Sequence, residues 1–399
     1  MTSALMGNYG RPELEFDHGI GSYLFTPAGD RYLDFAMGIA VNCLGHCHPE
    51  LVQALGNQAG KLWHTSNLYR IRQSEILARK LVDSSFADQV FFCNSGAEAV
   101  ECGFKLIRRY HYDKNQPQRN RIVAMTDSFH GRTLATINAS ANPLHCAGFL
   151  VGDCGFDQAQ YGDLESLRSV IGDNTAGIII EPVQGEGGVR IVEPDYLAAV
   201  RQLCNELDLV LMFDEVQCGM ARSGSLYAYE QLGVEPDLLA SAKGLGGGFP
   251  VGACLAKEKL SASLVAGTHG STFGGNPLAM AVANQVFDLL TAPAFLQHLN
   301  EQAVYIRESL SHLCEKHPDL IEGITGIGLM IGVKCVINNN DLIAALQQHK
   351  LLAVKAGSNT IRLLPALNVS RDEVDSALEI LSNVLSQWNK LINSDKQRG

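Results

Sequence analysis

Lys243 stands where the apolar run Leu238-Leu239-Ala240 gives way to Gly244-Leu245-Gly246-Gly247-Gly248. Glycines let a bulky group approach the backbone closely. An amine at the mouth of such a loop is placed to form a Schiff base with an aldehyde. Asp214, in Phe213-Asp214-Glu215-Val216-Gln217, ends another apolar run. Its carboxylate can reach a ring nitrogen, and the Gln217 amide can donate to a ring hydroxyl. Asn94-Ser95-Gly96-Ala97-Glu98-Ala99 follows a strand-like run and opens a helical pattern. Free N–H groups and the helix dipole favour a phosphate there. Alone, Ser95 with Glu98 at N3 reads as an ordinary helix cap, and Asp214 as a strand-end acid. Lys243, Asp214 and the Ser95-Gly96-Ala97 turn taken together favour a single ligand with an aldehyde, a basic ring nitrogen and a phosphate. Pyridoxal 5'-phosphate (PLP) is the ligand these features suggest.

Further residues fit the same site. Phe129-His130-Gly131-Arg132 offers an aromatic face beside a cation. Phe129 could stack on the ring, Arg132 could clamp a substrate carboxylate, and His130 reads as a supporting hydrogen-bond partner. Glu181-Pro182-Val183-Gln184-Gly185-Glu186 puts two acids in a loop after a strand. Arg362 lies among apolar neighbours in Ile361-Arg362-Leu363-Leu364, and a partly buried arginine needs a partner. That partner could be Glu186 at rest and a substrate carboxylate in use, or Glu186 in a permanent structural pair. His269-Gly270-Ser271-Thr272-Phe273-Gly274-Gly275-Asn276-Pro277 is either a donor-rich phosphate loop or a plain turn. Cys43, His46, Cys47 and His48 lack zinc-site spacing, so no metal is expected.

The elements that must position these residues alternate. Residues 89–93, 121–125, 176–180, 209–213 and 238–242 read as buried strands. Helical patterns cover 97–112 and 196–207. This alternation predicts an α/β fold with a mostly parallel sheet covered on both faces. Asn94-Ser95, Asp127, Glu181, Asp214 and Lys243 then fall at the carboxyl edge, where ligands of such sheets bind. After about residue 285 the pattern becomes α+β, with helices over 296–316 and 371–391 and strands over 329–336 and 360–364. Residues 1–50 read as a β-hairpin arm packing with this C-terminal lobe. The expected organisation is an arm (1–50), a large PLP-binding domain (51–285) and a small α+β domain (286–399).

The 399 residues, 46% hydrophobic and 18% charged, are ordinary for a folded protein of more than one lobe. A net charge of −11 argues against nucleic acid or an anionic membrane as partner. Eleven scattered cysteines in a long chain indicate reduced thiols. Met1 to Met6 lacks a leader pattern, and no run approaches the ~18 apolar residues of a membrane span. A cytoplasmic protein is the expectation.

These motifs, with Val41 to Pro49, Leu62 to Tyr69 and Gly267 to Pro277, resemble class III (subgroup II) aminotransferases over nearly the whole chain. The resemblance implies the PLP-dependent transferase fold type I, with a seven-stranded sheet in the large domain and a small domain built from the chain ends. It implies Lys243 as the Schiff-base lysine and proton carrier, and Asp214 on the pyridine nitrogen. Gly96 and Ala97 would bind phosphate beside Ser95, Phe129 and Val216 would face the ring, and Gln217 would meet its phenolic oxygen. Thr272 would reach the phosphate from the other subunit of a homodimer. Arg132 and Ser271 would contact N-acetylornithine. Glu186 and Arg362 would form a gate, opened for the α-carboxylate of 2-oxoglutarate or glutamate. The implied reaction converts N-acetylornithine and 2-oxoglutarate to N-acetylglutamate 5-semialdehyde and glutamate by ping-pong kinetics.

Tyr23 resembles a tyrosine near the substrate in members acting on unacetylated ornithine. That donor, succinylornithine and succinyl-diaminopimelate are the alternatives. A catalytically silent PLP-fold protein would be expected to lack Lys243 or Asp214. No dinucleotide fingerprint opens a βαβ unit, which sets aside a nicotinamide-dependent oxidoreductase.

Overall fold

The computed structural model describes residues 4–10, 13–149 and 152–396. Met1 to Ser3 and residues 397–399, at the outer ends of the expected arm and C-terminal domain, lie outside the described residues.

Strands Thr175–Ile180, Val210–Asp214 and Leu238–Ser241 are apolar along almost their full length and buried at every position. Such continuous runs belong inside a sheet covered on both faces. They form the middle of a seven-stranded sheet, in the spatial order Gln89–Cys93, Gly252–Ala256, Leu238–Ser241, Val210–Asp214, Thr175–Ile180, Arg121–Met125, Phe156–Ala159. All neighbours pair in parallel except around Gly252–Ala256, which is antiparallel to both of its partners. The connection over residues 242–251 is too short to carry a crossover helix, so the chain reverses into an antiparallel strand. Lys243 lies in that reversal.

Helix Gly96–Asp113 presses closely on the sheet. At Gly177 a Cβ would come within 2.6 Å of the Val210 carbonyl oxygen and 3.0 Å of the Ile107 side chain, so only glycine fits.

The N-terminal strands His18–Ile20, Tyr23–Phe25 and Arg31–Asp34 form an antiparallel meander. Its last strand pairs in parallel with Leu351–Leu352, with Leu33 opposite Leu351. A second antiparallel sheet runs Ile321–Ile327, Met330–Cys335, Thr360–Leu363, Val354–Ala356. Helices Pro293–Lys316 and Arg371–Lys396 pack together beside it. One continuous apolar cluster joins Leu33 and Phe35 of the arm, Phe213 and Leu239 of the large sheet, and Ile361, Leu363 and Leu381 near the C-terminus. Among the described residues, no single helix is long and apolar enough to cross a membrane.

Candidate active site

The carboxyl ends of the sheet strands open into a cavity of about 320 Å³. Its lining includes Ser95, Gly96, Ala97, Phe129, Glu186, Asp214, Val216, Gln217 and Lys243, brought together from five strand ends and the loops that follow them. The sequence therefore brings nine of its candidate residues to one place through a single topological device.

Lys243 is half-buried at the head of a short 3₁₀ turn, Lys243–Leu245. Burial first, and then the Arg362 guanidinium, bring its amine down to about 8. Glu186, Asp214 and Glu181 pull the other way. A substantial share of the amine is thus neutral near physiological pH, as a nucleophile and proton carrier requires.

Asp214 is buried at the end of its strand. One carboxylate oxygen, Oδ2, lies 2.8 Å from His130 Nδ1, and Oδ1 accepts from the Val216 N–H at 3.0 Å. Burial pushes the His130 ring down, but the Asp214 carboxylate, with Glu181 behind it, outweighs this and leaves the imidazole above its ordinary value. Glu181 accepts from the Phe129 N–H at 3.0 Å, which fixes the aromatic wall. Burial raises the Glu181 carboxyl to about 7, against the attraction of His130.

Ser95 caps helix Gly96–Asp113, its hydroxyl accepting from the Glu98 N–H at 3.3 Å. The Gly96 and Ala97 N–H groups precede the first intrahelical bond and have no acceptor among the described residues. A Cβ on Gly96 would come within 2.6 Å of Val216, so the glycine lets the helix start close against that wall.

Arg362 is only 1% exposed, and its Nη2 pairs with Glu186 Oε1 at 2.7 Å. Arg362 does not itself line the cavity; it acts on it through Glu186 and Gln217, which do. Arg132, Ser271, Thr272 and Tyr23 also lie off the lining. Arg132 is exposed, its guanidinium 5.4 Å from the Phe129 ring centre. Ser271 Oγ accepts from Asn94 Nδ2 at 3.2 Å, and Asn94 does line the cavity. Thr272 is exposed. Tyr23 sits under the Arg31 guanidinium at 4.5 Å. The apolar walls Val41, Phe249, Pro250 and Val251 were not singled out from sequence, because apolar side chains give no chemical signal.

The donor set suits PLP. It combines an accessible amine, a buried carboxylate, unpaired N–H groups at a helix start and two apolar side chains, in a cavity of cofactor size.

The class-III aminotransferase family model matches residues 7–385. The chain belongs to the class-III aminotransferases. Its cofactor is PLP, and it is a transaminase. The acetylornithine aminotransferase of Mesorhizobium japonicum is 51% identical over 376 residues, 94% of each chain. The crystal structure of ornithine aminotransferase from Toxoplasma gondii superposes with a TM-score of 0.92 at 29% identity, covering 97% of this chain and 93% of that one. That of N-acetylornithine aminotransferase from Stenotrophomonas maltophilia gives 0.84 at 33% identity, covering 96% and 98%. The class-III fold, with its mostly parallel seven-stranded sheet, agrees with the expectation from sequence.

Proposed function

We propose that this aminotransferase moves the δ-amino group of N-acetylornithine to 2-oxoglutarate, giving N-acetylglutamate 5-semialdehyde and glutamate, a step of arginine biosynthesis. Relatives 46–51% identical over nearly the whole chain carry the name acetylornithine aminotransferase, which supports this donor. Within the site the reading rests on one observation, the 2.7 Å pair between Glu186 and the buried Arg362. One site must accept an amine remote from its α-carboxylate in one half-reaction and an α-amine in the other. A guanidinium capped by a movable carboxylate meets both demands. Closed, it discourages binding through the α-carboxylate; open, it presents a fork to that group.

The bound cofactor supplies an electron sink for the substrate carbon that loses its proton. Lys243 holds the cofactor and then carries that proton. Asp214, fixed by His130, provides the negative charge that keeps a ring nitrogen protonated. Gly96 and Ala97 offer their N–H groups to the phosphate, with the Ser95 cap shaping the turn. Phe129 and Val216 bound the ring, and Gln217 meets its phenolic oxygen. Arg132 and Ser271 serve the acetylated donor. Thr272 completes the phosphate site of the other subunit, so the working unit is a cytoplasmic homodimer. The arm (1–50), large domain (51–285) and C-terminal domain (286–399) form the proposed division of each subunit.

A second reading, ornithine itself, draws on Tyr23 and on the TM-score of 0.92 to an ornithine aminotransferase. The Tyr23 ring is engaged by Arg31 and stands off the cavity lining, so the acetylated donor is preferred.

The two half-reactions test the proposal. N-acetylornithine alone is expected to bleach the cofactor's visible band, and 2-oxoglutarate alone to restore it. A band that responds to neither compound contradicts the reading.

A further inference from the structure

Arg362 is held from three sides. Nη2 meets Glu186, Nε and Nη2 donate to the Lys355 carbonyl oxygen at 3.2 and 2.9 Å, and Nη1 donates to Gln217 Oε1 at 3.0 Å. Of the two side-chain partners, Glu186 is 40% exposed, and its carboxylate makes no other hydrogen bond among the described residues. Gln217 is more closely held. Its carboxamide lies against Gly185, where a Cβ would collide with the carboxamide oxygen and lie 2.7 Å from its carbon. The turn that carries Glu186 therefore also forms the seat of Gln217. The Gln217 amide nitrogen has no acceptor among the described residues, and the residue lines the cavity with Lys243 and Asp214.

We propose that Gln217 is a positioning residue that couples the Glu186–Arg362 pair to the cofactor ring: its oxygen fixes the guanidinium while its amide N–H₂ serves the ring oxygen. The inference rests on the reading of Arg362 as the α-carboxylate site. When Glu186 leaves, the Lys355 carbonyl and Gln217 keep the guanidinium in register, and the released N–H faces the incoming carboxylate beside the second Nη1 hydrogen. Hydrogen bonds in a chain polarise one another. An N–H from Arg362 on the Gln217 oxygen strengthens the amide as a donor at its other end. Glu186 engages Nη2 alone, whereas a substrate carboxylate held through Nη1 as well draws on the nitrogen that serves Gln217 and weakens that effect, so the cofactor senses whether substrate occupies the gate.

The test uses PLP-loaded enzyme and glutarate, a five-carbon dicarboxylate with no group to transfer. In the parent, saturating glutarate is expected to shift the visible band and its pH midpoint, and to compete with 2-oxoglutarate. In Gln217→Leu the band response is lost, while KM for 2-oxoglutarate rises about fivefold or more. KM for N-acetylornithine rises less than that for 2-oxoglutarate, since that donor is bound with the gate closed. Gly185→Ala displaces the carboxamide without altering it and is expected to lose the same response. It decides the matter if Gln217→Leu does not retain cofactor. A residue that only supports the fold would lower cofactor retention yet leave the glutarate response intact, and that result overturns the coupling. A parent in which glutarate competes without moving the band also overturns it. A parent in which glutarate neither competes nor moves the band removes the carboxylate reading of Arg362, and this proposal with it.

Discussion

Lys243 is strained as well as half-buried. Its φ of +44° is a left-handed conformation that a lysine adopts at a cost of about 1–3 kcal/mol. Its lowered amine gives a signed prediction for the cofactor-free protein. The folded amine titrates near 8 and the unfolded one near 10.5. Between these values the unfolded chain binds a proton that the folded chain does not, so stability contributed by this group rises with pH. Its penalty is fully present below pH 8 and gone above about 10.5. Lys243→Met is therefore expected to stabilise the cofactor-free protein at pH 7 by on the order of 1–2 kcal/mol in urea melts, with the gain fading towards pH 10.5. A destabilised variant at pH 7 would contradict the burial argument. At this scale the sequence was informative where a residue's chemistry is unusual for its surroundings. Arg362 among apolar neighbours and Asp214 after a buried strand are of that kind. It was silent on the Lys355 carbonyl, which works through its backbone, and on Phe249 to Val251, which only form walls.

The loop behind Lys243 is as demanding as the residue. A Cβ on Gly246 would overlap the Phe249 carbonyl oxygen and lie 3.0 Å from its carbon. That obstacle is backbone and cannot rotate away. Gly246→Ala is expected to cost about 2–4 kcal/mol and to weaken cofactor retention, measured by denaturant unfolding and cofactor fluorescence. Parent-like behaviour in both would show that the reversal is looser than its geometry implies. The buried strands were legible because a sheet covered on both faces needs unbroken apolar runs, as in Val210–Asp214. Phe156–Ala159, at the sheet's edge with Asp157 and Gln158, had no such pattern. Gly252–Ala256 is short and built largely of small residues, so its place and direction follow from the brevity of the preceding loop.

In the whole molecule, exposed Thr272 acquires its role at the phosphate only through the proposed second subunit. Lys243→Ala and Thr272→Asp variants are each expected to be inactive. Mixing them after subunit exchange should restore about a quarter of parental activity, because half the dimers would carry one intact site. No recovery, with exchange shown by mass, would contradict a shared site. The central claim is the substrate pair, and a donor comparison at saturating PLP and 2-oxoglutarate tests it most directly. The account predicts that kcat/KM for N-acetylornithine exceeds that for ornithine, N-succinyl-diaminopimelate and 4-aminobutyrate by about tenfold or more, roughly 1.4 kcal/mol of transition-state discrimination. An equal or greater value for ornithine would contradict it, leaving the family and cofactor in place but moving the specificity to the unacetylated amine.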